Sequence, residues 1–119
     1  MKYYIYKITD TKNTEEFYIG STNNISNRKS SHKKATCNKT SKKYWLKLYQ
    51  YIRANGGWTS FEVVILEAGT CEDKTYMKQK EQEYIDKHKP TLNSAKAHKG
   101  KVTYINTDLN IVPENEENI

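Results

Sequence analysis

Aromatic and β-branched residues alternate from Lys2 to Thr9, which predicts a β-strand with Tyr4 and Tyr6 on one face and Tyr3 and Ile5 on the other. Asp10 to Glu16 is a polar turn region with Lys12 and Asn13 at its tip, and Phe17 to Gly20 reads as the returning strand. A short polar loop between two such runs is the mark of an antiparallel hairpin. In the second strand Tyr18 and Gly20 share a face opposite Phe17 and Ile19, and Gly20 would let a ligand or a neighbouring backbone come close.

The period then changes. Asn23, Asn24 and Ser26 are N-cap candidates for a helix running to about Ala35, on which Arg28 and His32 lie four residues apart on one face. A second helix is expected from about Ser41 to Ala54, with Trp45, Leu48, Tyr49 and Ile52 as its apolar stripe and Asn55-Gly56-Gly57 as its end. Phe61 to Leu66 is the most apolar run and reads as a central strand buried on both faces. A third helix should span about Glu72 to His88, stopped by Pro90. Val102 to Ile105 could add a strand or an arm, and the acidic stretch from Pro113 to Ile119 reads as disordered. The pattern divides the chain into one domain over residues 1–98 and a C-terminal extension over residues 99–119.

Composition narrows this picture. A chain of 119 residues has room for one modest core, and although only 35% of its residues are hydrophobic, ten tyrosines and two tryptophans add amphipathic bulk. The net charge of +6 is unevenly spread, because no Asp or Glu occurs between Phe17 and Phe61 while Arg28, Lys29, Lys33, Lys34, Lys39, Lys42, Lys43, Lys47 and Arg53 accumulate. Such a stretch can be a plain solvated surface. Interleaved with Tyr44, Trp45, Tyr49 and Tyr51, it fits better with a polyanion partner, and Lys29, Lys33, Lys42, Lys43 and Lys47 are its candidate contacts. Cys37 and Cys71 form no zinc pattern with His32, His88 and His98, and read as free thiols in a reducing compartment. No signal peptide or long apolar run is present, so no membrane is expected and the chain reads as intracellular, cytoplasmic or, in a eukaryotic or viral setting, nuclear.

The third helix holds the first chemical clue. Glu81 shares a face with Met77, Tyr84 and Ile85, whereas Glu83 shares one with Lys80 and Lys87 and looks solvated. A carboxylate on the apolar side needs a cation or a metal unless it merely reaches water, and one carboxylate with phosphate oxygens and waters suits Mg²⁺. Arg28 could be one more surface cation, or its planar fork could hold a phosphate through two parallel hydrogen bonds. His32 could be a solvated helix residue or, within reach of a tyrosine, a proton acceptor. Tyr6 and Tyr18 on their own read as packing residues. A tyrosine acting as a base near neutral pH must shift by roughly 4 kcal/mol toward the phenolate, and Arg28 and a metal would both push that way.

Taken in order, these residues resemble the GIY-YIG nuclease superfamily over roughly Lys2 to Ala95. Tyr4-Ile5-Tyr6 stands at the family's first tripeptide and Phe17-Tyr18-Ile19-Gly20-Ser21-Thr22 at the second, and Asn23 to His32 resembles the helix of the catalytic arginine, with Arg28 at that place. Glu81-Gln82-Glu83-Tyr84-Ile85 looks like the segment of the metal-binding glutamate, and Asn93 matches the asparagine that closes the site. Tyr4 replaces the first glycine of the name motif. His32 matches a histidine found in part of the family, and the second helix lacks a histidine some homing enzymes carry, a contribution Lys42 or Lys43 could replace.

The resemblance implies an α/β sandwich with a central three-stranded antiparallel sheet flanked by helices, in the manner of the stand-alone catalytic domain of a phage or viral homing-type endonuclease. It implies hydrolysis of DNA phosphodiester bonds to 5′ phosphate and 3′ hydroxyl ends. Tyr6 would be the general base, Arg28 the phosphate stabiliser, His32 the holder or acceptor of the Tyr6 proton, and Glu81 the ligand of one Mg²⁺ or Mn²⁺. Tyr18 would complete the wall of the site and Asn93 support it. A concerted double-strand break by one such site would need a dimer. A module that keeps the fold and binds nucleic acid without cutting is the alternative, and a tyrosine-rich structural protein with an incidental basic face is a further one.

Overall fold

In the computed structural model, residues 1–93 are described. The hairpin is longer than the sequence pattern suggests. Strand β1 (Lys2–Asp10) pairs antiparallel with β2 (Asn13–Thr22), with Tyr6 opposite Gly20 and Ile8 opposite Tyr18. Helix α1 (Ile25–Cys37) starts at Asn24, whose side chain accepts from the Asn27 amide at 3.0 Å. Helix α2 (Lys47–Ala54) is followed by a 3-10 turn at Trp58–Ser60, strand β3 (Phe61–Thr70) and helix α3 (Lys74–His88). Asp73 caps α3 through the Tyr76 amide, and Lys89, in the left-handed conformation before Pro90, ends it.

The three strands form the expected antiparallel sheet, but in the order β2-β1-β3. Phe61 to Leu66, expected as a central strand buried on both faces, is therefore part of an edge strand, and Ile65 is 44% exposed. An apolar run cannot distinguish the two situations. Strand β1 takes the centre because both of its faces are covered: Tyr6 and Ile8 are fully buried on one side, Tyr3 and Ile5 on the other. The β1–β3 register shifts between Ile5, opposite Glu67, and Tyr6, opposite Ile65, leaving Leu66 as an extra residue. Leu66 lies on the Tyr3 side and Val63 on the Tyr6 side by ordinary alternation, and the bulge brings Glu67 opposite Ile5, where it accepts from the Tyr3 and Tyr84 hydroxyls.

On one face of the sheet, Ala35 of α1 and Leu48, Tyr49 and Ile52 of α2 pack with Tyr6, Ile8 and Leu92. On the other, Met77 of α3 packs with Tyr3, Ile5 and Ile19. The molecule is thus a helix–sheet–helix sandwich, as expected. Helix α2 is shorter than predicted. Residues 41–46 instead form successive turns, with Tyr44 bonded back to Ser41 and Leu46 to Lys43, so Trp45 lies outside the apolar stripe and is 64% exposed. The strand or arm at Val102 to Ile105, the acidic tail and the 98/99 boundary lie outside the described residues.

Candidate active site

The face of α1 that carries Arg28 and His32 turns toward the sheet. His32 is 4% exposed, and its two ring nitrogens each meet a tyrosine: Nε2 lies 2.7 Å from the Tyr6 hydroxyl and Nδ1 2.7 Å from the Tyr49 hydroxyl. Burial, helped by the charges of Arg28 and Lys43, pushes the imidazole down to about 3, so it is neutral at physiological pH. A neutral imidazole has one donor and one acceptor nitrogen. If Tyr49 accepts from Nδ1–H, Nε2 is left bare to accept from Tyr6. Trp58 stacks on the ring at 6.3 Å with planes 16° apart, and Tyr18 meets it edge-on at 5.6 Å.

Tyr6 is fully buried, and burial raises its pKa above the ordinary phenol range. Arg28 acts in the opposite direction through its charge and a hydrogen bond, while Tyr49 and Glu81 add to the rise. Arg28 thus pushes Tyr6 toward the phenolate, as expected, without bringing it there. Desolvation outweighs the guanidinium, and the resting residue is a phenol bonded to His32. Tyr18, half-buried, is raised for the same reason, with Tyr6, Glu81 and Tyr49 contributing. Gly20 separates these rings. A Cβ there would lie 2.7 Å from the Tyr6 hydroxyl and 2.9 Å from the Tyr18 ring, so the close approach the glycine allows is that of the two tyrosines.

Glu81 is 5% exposed on α3 and accepts a short hydrogen bond from the Ser21 hydroxyl of β2. By strand alternation Ser21 faces α3, whereas Tyr18 and Gly20 face α1. Glu81 comes from the opposite side of the sheet, yet its charge is felt at both Tyr6 and Tyr18. The Lys78 ammonium lies 3.2 Å from Glu81 Oε1. Among the described residues the carboxylate's other oxygen, Oε2, makes no hydrogen bond. One open carboxylate oxygen suits a hard divalent cation that keeps water and phosphate oxygens as its remaining ligands. Among the described residues no group of three or more His, Cys, Asp or Glu could hold a metal, and Glu81 is the carboxylate that would hold one here. Glu83 is exposed and paired with Lys80 at 3.5 Å, as its helical face predicts.

Asn93 does not approach the tyrosine hydroxyls. Its Oδ1 accepts from the Ile19 amide at 3.0 Å and its Nδ2 donates to the Ile19 carbonyl at 2.9 Å, fixing β2 between Tyr18 and Gly20. Leu92 adds a backbone bond to Phe17. Both polar ends of Asn93 are thus spent on the β2 backbone. Lys29, Lys33, Lys42, Lys43 and Lys47 are all exposed, and none is ion-paired among the described residues. Of the two lysines weighed as a replacement for the missing histidine, Lys43 is the one whose charge reaches His32.

Four neighbours of the site escape a reading of the sequence: Ser21, Tyr49, Trp58 and Lys78. Tyr49 sat in an apolar stripe, where its hydroxyl was the signal, because a buried phenol needs a polar partner. Lys78 lies three residues before Glu81, a spacing that places it on the same helical face. Ser21 and Trp58 carried no local signal.

A family model for the GIY-YIG catalytic domain matches residues 2–94. Among solved structures, a mutant of the catalytic domain of intron endonuclease I-TevI is similar with a TM-score of 0.64 and 26% identity, covering 84% of this chain and 100% of that chain. Among curated protein sequences, none matches.

Proposed function

The chain belongs to the GIY-YIG nuclease family, and on that premise we propose that it is a divalent-metal-dependent endonuclease hydrolysing DNA phosphodiester bonds at the Tyr6–His32–Arg28–Glu81 site. The observation that carries this reading is the buried 2.7 Å contact between the Tyr6 hydroxyl and His32 Nε2, beside Arg28 and within the field of Glu81. A buried packing tyrosine would be satisfied by any one polar partner, whereas the partner of Tyr6 is a histidine whose second nitrogen is itself held.

Tyr6 takes a proton from the attacking water as its own proton passes to His32. The depressed proton affinity of His32 bears on the timing. Arg28 and Lys43 are two of its causes, and a phosphate seated against them would offset their charge. The imidazole therefore becomes a better acceptor when substrate is in place. Tyr49 holds the ring in the tautomer that leaves Nε2 free. Arg28 steadies the phosphoryl oxygens, and its charge is matched to the extra negative charge of the transition state. A cation held by Glu81, Mg²⁺ or Mn²⁺, would polarise the scissile phosphate and stabilise the leaving oxygen.

Supercoiled plasmid incubated with the protein and Mg²⁺ tests the reading. Nicked or linear product is expected from the wild type and is lost with Glu81→Ala and Arg28→Ala. If the wild type binds plasmid but leaves it as intact as both variants do on several substrates, the chain is a binding module of the same fold and the proposal is wrong.

A further inference from the structure

The segment between α1 and α2 is tied down tightly for a loop. Arg53 of α2 donates to the Thr36 carbonyl at 2.9 Å and to the Tyr44 carbonyl at 2.7 Å, and its guanidinium lies 3.5 Å from the centre of the Tyr44 ring. Gln50 donates to the Trp45 carbonyl, and Asn38 accepts from both the amide and the hydroxyl of Thr40. The half-buried Tyr44 is held by this arrangement and meets Trp45 edge-on at 4.8 Å. Trp45 itself is 64% exposed, followed by Leu46 at 43%. An indole presented to water by a braced support has lost the option of folding back onto the core, so its apolar surface is available to a partner. Lys39, Lys42, Lys43 and Lys47 surround it in the chain, all exposed, with no acid between Phe17 and Phe61. The segment also borders the site, since the charge of Lys43 is felt at His32.

We infer that Trp45 is a base-contacting residue, stacking on an unstacked base of the DNA strand in the site while Lys42 and Lys43 hold the adjacent phosphates. This rests on the nuclease reading and adds to it a preference for DNA in which a base can leave the helix stack, such as a single strand, a bulge or a mismatch. An indole face accepts any base, because every base has a π-face, so the contact selects structure rather than sequence. Pre-ordering by Arg53 and Tyr44 removes most of the entropy that a free loop would lose on binding.

The test is fluorescence anisotropy with labelled single-stranded, bulged and fully paired oligonucleotides of one sequence, in EDTA so that none is cut. Trp45→Ala should weaken binding to the single strand and the bulge by about 5- to 150-fold, the range of a base–aromatic stack. Trp45→Phe should keep most of the affinity. The salt dependence should be unchanged in both, whereas Lys42→Gln with Lys43→Gln should lower the log–log slope by about 0.7 to 0.9 per lost phosphate contact. Circular dichroism should give wild-type melting for Trp45→Ala, since the side chain is exposed. If Trp45→Ala binds all three oligonucleotides as the wild type does while the lysine variant loses slope, the inference fails and the nuclease reading stands. If the wild type binds none of them, the nuclease reading fails too. If sedimentation shows a wild-type dimer that Trp45→Ala converts to monomer without altered DNA binding, the indole contacts a second copy and the inference is overturned.

Discussion

The Tyr6 hydroxyl and Nε2 of His32 are 2.7 Å apart in a pocket where Tyr6 is fully buried and His32 nearly so. Neither group is ionised at rest: burial raises the phenol and depresses the imidazole. Two neutral partners with opposed shifts can exchange a proton only when something external changes the field around them. Arg28 lowers both, so a phosphate that offset its charge would make Tyr6 a weaker acid as well as His32 a better acceptor. What it would favour is the net passage of a proton from water through Tyr6 to His32.

Replacing Tyr49 with Phe removes the group 2.7 Å from His32 Nδ1 and should separate positioning from chemistry. The orphaned buried nitrogen should cost about 1–3 kcal/mol of stability. Turnover should fall by about tenfold, well short of the 10²–10⁴ range expected for Tyr6→Phe as loss of the proton-transferring group. KM should hardly move, because Tyr49 is buried and bonded to the ring of His32. Single-turnover cleavage across pH 6 to 9 checks this, and a wild-type rate and profile for Tyr49→Phe would remove it from the proton path.

Gly20→Ala places a methyl 2.7 Å from the Tyr6 hydroxyl, and the sealed hydroxyl has little room to retreat without lengthening its bond to His32. Overpacking of this kind typically costs about 1–3 kcal/mol. The folded protein should therefore survive with a lower melting midpoint, whereas cleavage should fall far more than stability. Chemical denaturation paired with a plasmid assay reads both. Equal proportional losses would mean that Gly20 serves packing alone.

Much of this site was legible in the sequence because its residues sit at positions fixed by local periodicity. Arg28 and His32 one helical turn apart, Glu81 on the apolar face of α3, and Tyr6 with Tyr18 and Gly20 on one face of the hairpin all follow from spacings of two, three or four. What periodicity could not supply was the balance of opposing effects at Tyr6, where burial overrides Arg28, a quantity set by neighbours remote in sequence. Strand order failed for a similar reason. The Val63-Val64-Ile65 run is more apolar than β1, but centrality depends on which faces the helices cover, and the bulge at Leu66 switches the strand's phase midway. Trp45 has helical spacing to Leu48, Tyr49 and Ile52, yet the helix begins only at Lys47 and leaves it outside the stripe.

Stability should fall as pH drops below about 6.5, with His32 responsible for the upper part of that fall. The unfolded imidazole takes up a proton near 6.5 and the folded one only near about 3. Between those values the unfolded state binds more protons, so the contribution of neutral His32 is fully present above 6.5 and is lost as pH falls toward 3. The slope should be at most roughly 1.4 kcal/mol per pH unit. Asp10, bonded to the Lys12 amide and the Tyr51 hydroxyl, and Glu67, bonded to the Tyr3 and Tyr84 hydroxyls, are held below their ordinary values and steepen the fall at lower pH. His32→Gln should flatten the melting midpoint above the carboxylate range and leave the acid limb intact. An unchanged profile would mean that His32 is solvated in solution.

Lys78 occupies one oxygen of Glu81 at 3.2 Å, so a divalent cation arriving at that carboxylate meets a competing ammonium. The lysine is about half exposed and can swing into water, whereas Glu81 is held by Ser21. Lys78→Met removes the competitor and should have effects of opposite sign on two measurements. With its lysine half in water the pair is worth about 1 kcal/mol, so Mn²⁺ affinity measured by calorimetry without DNA should rise by about fivefold. The metal-free melting midpoint should drop, because a nearly buried carboxylate loses its counter-charge and keeps only the Ser21 hydrogen bond. Adding Mn²⁺ should restore more stability to Lys78→Met than to the wild type, and none to Glu81→Gln. If Mn²⁺ binds Glu81→Gln as well as it binds the wild type, the cation is held elsewhere and Glu81 is a structural partner of Ser21 and Lys78.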